Sequence, residues 1–188
     1  MGILVISSSP NKNGLTAACA SAAIEGIRLA DIPVEEIRLN DLKIDKCHAC
    51  NDGWGTCLPE HRCQELDDFQ GLHARFSSAD GIVLVTPVYW GEMSESAKAF
   101  TDRLRRCEAT REKGESLLYN KPVIAIAAAG GSGGGMITCL ASMERWIQHV
   151  QARLFDLIPV NRWTREYKLA AIQAAGRLMA MELRSGKG

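Results

Sequence analysis

The chain has 188 residues, of which 46% are hydrophobic and 23% are charged, and its 22 basic residues balance 22 acidic ones. A net charge of zero removes the main electrostatic reason to expect nucleic acid or an anionic membrane as a partner. The apolar run Gly2–Ile6 is too short for a signal peptide or a membrane span. We therefore expect one domain over residues 1–188, in the cytoplasm, where seven cysteines stay reduced.

Short apolar runs alternate with helical patterns along the chain. The predicted strands are Ile3–Ser7, Val34–Leu39, Gly81–Thr86, Pro122–Ala128 and Leu154–Val160. The predicted helices are Leu15–Leu29, one capped by Asp67 or Asp68 and running through Phe76, Ser94–Cys107, one that ends near Val150, and Tyr167–Leu183. This alternation predicts an α/β fold, with a doubly wound parallel sheet covered by helices on both faces.

Small polar residues follow the first predicted strand, in the segment Ser7–Thr16. Backbone N–H groups and the positive end of the helix dipole converge where that segment meets the first helix, which predicts an anion site. The segment has neither the P-loop spacing nor Gly-x-Gly-x-x-Gly. Because Lys12 is its one cation, it suits a phosphate monoester. The alternative is an elaborate helix cap and turn.

Two aromatic residues, Tyr89 and Trp90, follow the third predicted strand in the segment Thr86–Gly91. Ligands of open α/β sheets bind beyond the carboxyl ends of the strands, so a flat aromatic ligand could lie against these rings. The alternative is that the rings pack at a subunit interface. The fourth strand ends in a glycine cluster, Gly130–Gly135, which either lets a ligand approach the backbone or forms a mobile loop.

Together the three strand ends predict a phosphate pocket beside a pocket for a planar ring. That combination suits a mononucleotide, and flavin mononucleotide (FMN) best. The candidate cofactor-binding residues are Ser9, Asn11, Asn13, Gly14, Leu15, Thr16, Pro87, Val88, Tyr89, Trp90, Gly91, Gly130 and Gly131.

A cysteine-rich segment at about residues 43–64 interrupts the alternation of strands and helices, and we call it the cysteine loop. Its candidate metal ligands are Cys47, Cys50, Cys57 and Cys63. Four thiolates can hold a [4Fe–4S] cluster or a zinc ion, with His48 and His61 as further ligands. The alternative is a metal-free loop. The remaining cysteines, Cys19, Cys107 and Cys139, lie in predicted helices and are expected to be small buried residues.

Several of these segments resemble the flavodoxin-like NAD(P)H-dependent FMN reductases. The resemblance lies in Ser9–Thr16, in Thr86–Trp90 with Met93, Lys98, Phe100, Asp102 and Arg103 after it, and in Lys121-Pro122 leading to Gly130-Gly131. The four cysteines followed by Asp67-Asp68 resemble the iron–sulfur flavoprotein branch of that family. The resemblance implies a three-layer α/β/α fold with a five-stranded sheet in the order 2-1-3-4-5. It also implies tightly bound FMN and a homodimer or homotetramer.

The chain departs from that family in two places. Asn11 stands where relatives often carry arginine, and Leu15 replaces a common asparagine. The cysteine spacing is Cys47-x2-Cys50-x6-Cys57-x5-Cys63, longer than the compact spacing of the iron–sulfur branch.

No acid–base or nucleophilic constellation stands out, so no catalytic side chain is predicted. This suits a flavoenzyme, in which the cofactor carries the redox chemistry. We expect an FMN-dependent oxidoreductase that takes electrons from NAD(P)H or ferredoxin and passes them to a small acceptor such as a quinone, flavin or nitroaromatic. The alternatives are an iron–sulfur flavoprotein electron carrier without NAD(P)H turnover of its own, or a flavodoxin-like regulatory binding module.

Overall fold

The computed structural model describes residues 2–186. Its elements are β1 (Ile3–Ser7), α1 (Leu15–Arg28), β2 (Val34–Arg38), a 3-10 turn (Leu39–Asp41), α2 (Phe69–Ser78), β3 (Gly81–Tyr89), β4 (Glu92–Met93), α3 (Glu95–Glu108), β5 (Pro122–Ala129), α4 (Met136–His149), β6 (Arg153–Asn161) and α5 (Arg165–Ser185). None of the helices within residues 2–186 combines the length and apolar character needed to cross a membrane.

The five main strands form one parallel sheet in the order β2-β1-β3-β5-β6. Apart from the two-residue β4, this is the flavodoxin-like order 2-1-3-4-5, which confirms the expected topology. Ile3 of β1 aligns with Val34 of β2 on one side and with Gly81 of β3 on the other. The sheet therefore reverses its winding between β1 and β3, where open α/β sheets bind their ligands.

Alternate residues of the central strands feed two separate cores. Leu4 and Ile6 lie in the core that contains Phe76 of α2 and Phe100 of α3. Ile3 and Val5 of the same strand lie in the opposite core, together with side chains of α1 and α5. Because side chains of a strand alternate between its faces, near-continuous apolar strands predict cores on both sides. The three-layer α/β/α arrangement is confirmed.

The predicted third strand is too short. It was expected to end at Thr86, but β3 continues to Tyr89. The extension exists because the chain reverses through Trp90 and Gly91, and β4 then pairs antiparallel with the end of β3. Near the end of the chain, the last helix, α5, begins at Arg165 rather than at the predicted Tyr167.

Helices α1 and α5 approach each other closely at two glycines. A Cβ atom at Gly26 would overlap the carbonyl oxygen of Gln173, and one at Gly176 would stand 2.8 Å from the carbonyl oxygen of Ala23. Backbone, which cannot move aside cheaply, therefore forms both contacts. Glycine at these positions sets the distance between the two helices on this face of the sheet.

We expect Gly26→Ala to lower the free energy of unfolding by about 2–3 kcal/mol, because the added methyl group forces the two helices apart. Gly71→Ala in α2 is the matched control, since no heavy atom lies within 4 Å of its Cβ position. The control should stabilise the protein by up to about 1 kcal/mol, as alanine favours helix over glycine. Urea denaturation measures both. Equal stability of the two variants would contradict the helix contact.

Candidate functional site

The carboxyl ends of β1, β3 and β5 lie side by side because β3 stands between the other two strands. Ser8, just beyond β1, donates from its backbone N–H and from its Oγ to the Val85 carbonyl of β3, at 3.1 and 3.3 Å. Ser94, the cap of α3, donates from its Oγ to the Ser8 carbonyl at 2.9 Å and receives a bond from the N–H of Ala97. These bonds bring the loops after β1 and β3 together.

The loop after β1 uses its polar side chains to hold its own shape. Ser9 Oγ accepts a hydrogen bond from the N–H of Asn11 at 3.2 Å, and Asn11 Oδ1 accepts one from the N–H of Asn13 at 3.0 Å. Helix α1 then begins at Leu15, behind Gly14, with no side-chain cap and no acidic residue in its first turn. Its first backbone N–H groups therefore face no competing side chain and fit an anion.

Arg38 is a second cation at this loop that the sequence reasoning missed. Its Nη2 donates to the Ser9 carbonyl at 3.4 Å, and its Nε lies 3.3 Å from the Asp41 carboxylate. Lys12 lies 4.0 Å from the same carboxylate, and Thr16 is buried in the first turn of α1. The sequence does carry a signal for Arg38 as a cation at this site, because it is the last residue of β2, the strand beside β1.

The aromatic segment forms a tight hairpin between β3 and β4. Trp90 and Gly91 are its two central residues, with φ of 51° and 80°. Positive φ at both positions is the pattern of a type I′ turn, for which Asn-Gly is the usual sequence. The Trp90 side chain is fully exposed and Tyr89 is 40% exposed. A non-glycine residue held in this region costs about 1–3 kcal/mol, which marks Trp90 as a position of functional interest.

The hairpin is fixed to the N-terminus of α4. Thr138 Oγ1 lies 2.9 Å from both the Gly91 and the Gly135 carbonyl oxygens. A Cβ atom at Gly135 would stand 2.8 Å from the Cα of Gly91. Packing of the hairpin therefore requires these two glycines, independently of any ligand.

Gly130 and Gly131 have no such reason to be glycine. Neither has a positive φ, and no heavy atom lies within 4 Å of either Cβ position. Their open surroundings fit the close approach of a ligand to the backbone. An open cleft of about 570 Å³ lies nearby, lined by Val88, Trp90, Gly91, Ser132, Gly134, Gly135 and Thr138. Pro87, one residue before this cleft, pairs with Ala128 of β5.

A second exposed tryptophan contacts the glycine cluster at residues 130–135, which we call the glycine loop. The ring of Trp163, in the turn after β6, occupies the space where a Cβ of Gly133 would stand. The Arg162 guanidinium lies 4.3 Å from the centroid of this ring. The Trp163 side chain is 64% exposed. The sequence reasoning missed Trp163 because it examined only the first, third and fourth strand ends.

The cysteine loop is closed at its base by two aspartates. The N–H of Lys43 donates to Asp68 at 2.7 Å and the N–H of Asp45 donates to Asp67 at 2.9 Å. Asp67 also accepts a bond from the N–H of Phe69, so it caps α2, whereas the Asp68 carboxylate does not. Of the two expected caps, Asp67 provides the side chain.

All four candidate metal ligands line one narrow cavity of about 20 Å³, which has room for about one water molecule. Their thiols are free and half-buried, and Cys50 Sγ lies 3.6 Å from the Glu65 carboxylate. Desolvation and this hydrogen bond raise the pKa of the Cys50 thiol. Within residues 2–186, no three Cys, His, Asp or Glu side chains converge on a point that could hold a single metal ion. The cavity gathers the thiols without closing them around one centre.

The two histidines of the loop are engaged elsewhere. His48 has one ring nitrogen 3.0 Å from Asp45 and the other 3.3 Å from Glu65. His61 Nδ1 lies 2.9 Å from Thr110 Oγ1. The ring nitrogens of His48 therefore face carboxylates, so the expected contribution of His48 to a zinc site has no support in this geometry.

Two arginines of α3 complete the lining of the cavity, Arg103 and Arg106. Burial would lower the pKa of Arg103, but hydrogen bonds to Asp67 and Cys63 outweigh it and raise that pKa. The Nε of Arg103 is buried and has no hydrogen-bond acceptor in the described part of the chain. A buried cation with one unused donor beside four thiols fits an anionic group in the cavity.

The three remaining cysteines are buried, as expected. Burial raises the pKa of Cys19, Cys107 and Cys139 to about 12. Thiols of this kind stay protonated and act as small apolar residues.

Comparison with known proteins gives three findings. A family model described as NADPH-dependent FMN reductase matches residues 1–156. An iron–sulfur flavoprotein of Methanocaldococcus jannaschii is 30% identical over 146 residues, which are 78% of this chain and 71% of that protein. An FMN-dependent NADH:quinone oxidoreductase of Alcanivorax borkumensis is 32% identical over 143 residues, or 70% of this chain and 72% of that protein.

Among solved structures, a flavone reductase superposes on the whole chain with a TM-score of 0.76 and 19% identity. The chain spans 64% of the length of that protein. At this identity the likeness concerns the fold alone, and it agrees with the sheet order described above.

Proposed function

The chain belongs to the NADPH-dependent FMN reductase family, and from that premise we propose that it transfers electrons from NAD(P)H to a small acceptor through FMN bound at the ends of β1, β3 and β5. The observation that carries this proposal is the adjacency of an uncapped helix N-terminus and an open cleft with exposed aromatic rings. FMN, when bound, supplies hydride acceptance from a nicotinamide and release of electrons to the acceptor. The protein supplies binding, orientation and access.

The loop after β1 fits the phosphate of FMN. The candidates there are Ser9, Asn11, Asn13, Gly14, Leu15 and Thr16. Because Ser9 Oγ and Asn11 Oδ1 accept bonds from loop N–H groups, we assign these two side chains to shaping the loop. The uncapped N–H groups at the start of α1 would donate to the phosphate, with the positive charges of Lys12 and Arg38 nearby.

The hairpin and the glycine loop fit the ring of FMN. Pro87, Val88, Tyr89, Trp90 and Gly91 would form one wall. Gly130 and Gly131 would let the ring edge approach the backbone, since no protein atom fills the space beside them. Backbone N–H groups at this edge would stabilise the negative charge that reduction places on the ring.

We propose a flat aromatic acceptor, such as a quinone, a flavin or a nitroaromatic. The exposed rings of Trp90 and Trp163 offer stacking surfaces at the cleft and at the neighbouring glycine loop. A relative named FMN-dependent NADH:quinone oxidoreductase supports the quinone among these choices.

We also propose that the cysteine loop binds a [4Fe–4S] cluster through Cys47, Cys50, Cys57 and Cys63. Zinc needs its ligands around one ion, whereas a cluster spreads four thiolates over several irons. The four free thiols that line one cavity supply the ligand set that a cluster needs. The iron–sulfur flavoproteins among the relatives support it as well. With a cluster present, ferredoxin becomes a second electron donor beside NAD(P)H.

A homodimer or homotetramer is our proposal for the assembly. An exposed groove of about 470 Å³ between α1 and α5 is lined by Gln173, Arg177 and the apolar residues Leu29, Ala170, Ala174, Leu178 and Met181. Ala170 and Leu178 each lie four residues from Ala174. Two antiparallel copies of α5 crossing at Ala174 would bring Ala170 against the partner's Leu178, which gives the self-complementary contact that a two-fold dimer needs. A reducing compartment such as the cytoplasm suits the free thiols.

FMN-loaded protein should oxidise NADH or NADPH in the presence of a benzoquinone, measured as loss of absorbance at 340 nm under anaerobic conditions. Protein without FMN is the control and should be inactive. No turnover with either nicotinamide, together with rapid reduction by ferredoxin, would contradict the reductase proposal and favour the electron carrier. No reduction by any donor would favour the regulatory binding module.

Replacing Trp90 separates its backbone strain from its ring. Trp90→Asn places the preferred type I′ residue in the turn, so we expect the free energy of unfolding to rise by about 1 kcal/mol. The same variant should bind FMN at least about tenfold more weakly, because the stacking surface is lost. Tyr119→Asn is a control for loss of an exposed ring outside this cleft. Unchanged FMN affinity in Trp90→Asn, measured by flavin fluorescence, would remove Trp90 from the ring pocket.

Anaerobically purified or reconstituted protein should contain about four iron atoms per chain and show a broad absorbance beyond the flavin bands. Cys63→Ala should lose most of this iron, because one ligand is missing. Cys139→Ala is the matched control, a buried cysteine outside the loop, and should retain it. Wild-type protein that takes up zinc but not iron, or neither metal, would contradict the cluster.

A further inference from the structure

One arginine of α3 connects both ends of the cysteine loop. Arg103 is 1% exposed, and its Nη1 donates to the Asp45 carbonyl at 3.1 Å and to the Asp67 carboxylate at 2.5 Å. Its Nη2 donates to the Glu65 carbonyl at 3.2 Å. Asp45 precedes the first cysteine by two residues, and Glu65 follows the last cysteine by two. A single guanidinium therefore joins the chain on both sides of the four thiols.

A second arginine of the same helix holds the middle of the loop. Arg106 Nη1 donates to the Gly53 carbonyl at 2.6 Å, and its guanidinium lies 4.5 Å from the ring centroid of Trp54. Residues three apart share one face of a helix, so Arg103 and Arg106 act on the loop from a common surface. We call this pair the arginine clamp.

Arg103 places a buried positive charge, paired with Asp67, in the lining of the cavity. Neutral donors could bind the carbonyl groups that anchor the loop. A buried cation in their place is costly unless charge or hydrogen bonds compensate it. Asp67 is the one carboxylate paired with Arg103 among the described residues, and the Nε of Arg103 lacks an acceptor. Glu65 also lines the cavity, but its carboxylate lies against His48 and Cys50.

We propose that the arginine clamp shapes the cysteine loop before any metal enters, and that the charge of Arg103 favours the reduced form of the group bound there. Arg103 and Arg106 are thus positioning residues. The second half of this proposal rests on the proposed [4Fe–4S] cluster, whereas the first half concerns the metal-free protein.

The two halves follow from simple physics. A loop already held in its binding shape loses less conformational entropy when it captures its ligand. Uptake of one electron makes the bound group one unit more negative, and a buried cation nearby attracts that added charge more strongly than the same cation would in water. Removing the charge should therefore lower the reduction potential.

The charge is tested by measuring the reduction potential of reconstituted protein in a spectroelectrochemical titration. Arg103→Gln should shift the reduction equilibrium at least tenfold toward the oxidised form, which is about 59 mV for one electron. Arg103→Lys keeps the charge and should shift it by less than half as much in millivolts. Arg105→Gln is the control on the same helix, because Arg105 makes no ion pair or side-chain hydrogen bond that the structure records within residues 2–186. A Gln variant with full iron and the wild-type potential would overturn this half.

The shape is tested on metal-free protein by hydrogen exchange. Arg106→Gln should accelerate amide exchange over residues 46–64 at least tenfold and leave the amides of β1 and β3 unchanged. Equal exchange in Arg106→Gln and wild type would overturn this half. If Arg103→Gln does not fold, the reduction potential and the amide exchange of Arg103→Lys are compared with those of Arg106→Gln instead. Wild-type protein that takes up no iron contradicts the cluster, while the exchange result still judges the clamp.

Discussion

Parallel pairing of β3 between β1 and β5 is the constraint on which the rest of the site depends. It sets three loops of different chemistry side by side, and the bond from Ser8 to the Val85 carbonyl carries the register beyond the last residue of β1. The polar loop, the aromatic hairpin and the glycine loop are far apart along the chain. Only the order of the strands brings them together as the proposed FMN pocket.

Helix α3 links that pocket to the cysteine loop. Its cap, Ser94, binds the Ser8 carbonyl, and nine residues later Arg103 binds the two ends of the cysteine loop. Nine residues of helix span about 14 Å. One rigid element therefore positions both proposed redox groups. A change in the tilt of α3 would reach both sites.

Much of this could be predicted from the sequence, because periodicity and strand-end chemistry are local signals. The strands, the sheet order given by the resemblance, and the burial of Cys19, Cys107 and Cys139 are confirmed. The hairpin was not foreseen, since tryptophan is an unusual residue for its turn and gives no turn signal. Arg38, Trp163 and the clamp were missed for a different reason. Each acts on a segment distant in sequence, and only tertiary structure shows that contact.

The glycine contact between the hairpin and α4 determines how the cleft can respond to what enters it. Gly91 and Gly135 meet backbone to backbone, with Thr138 bridging their carbonyls, so the backbone of the hairpin cannot shift without breaking these contacts. Beside Gly130 and Gly131, in contrast, no heavy atom lies within 4 Å of the position that a Cβ atom would take. The cleft thus has one packed side and one open side. If FMN binds as proposed, acceptors of different thickness would be accommodated at the open side, beside residues 130–131, rather than at the packed hairpin.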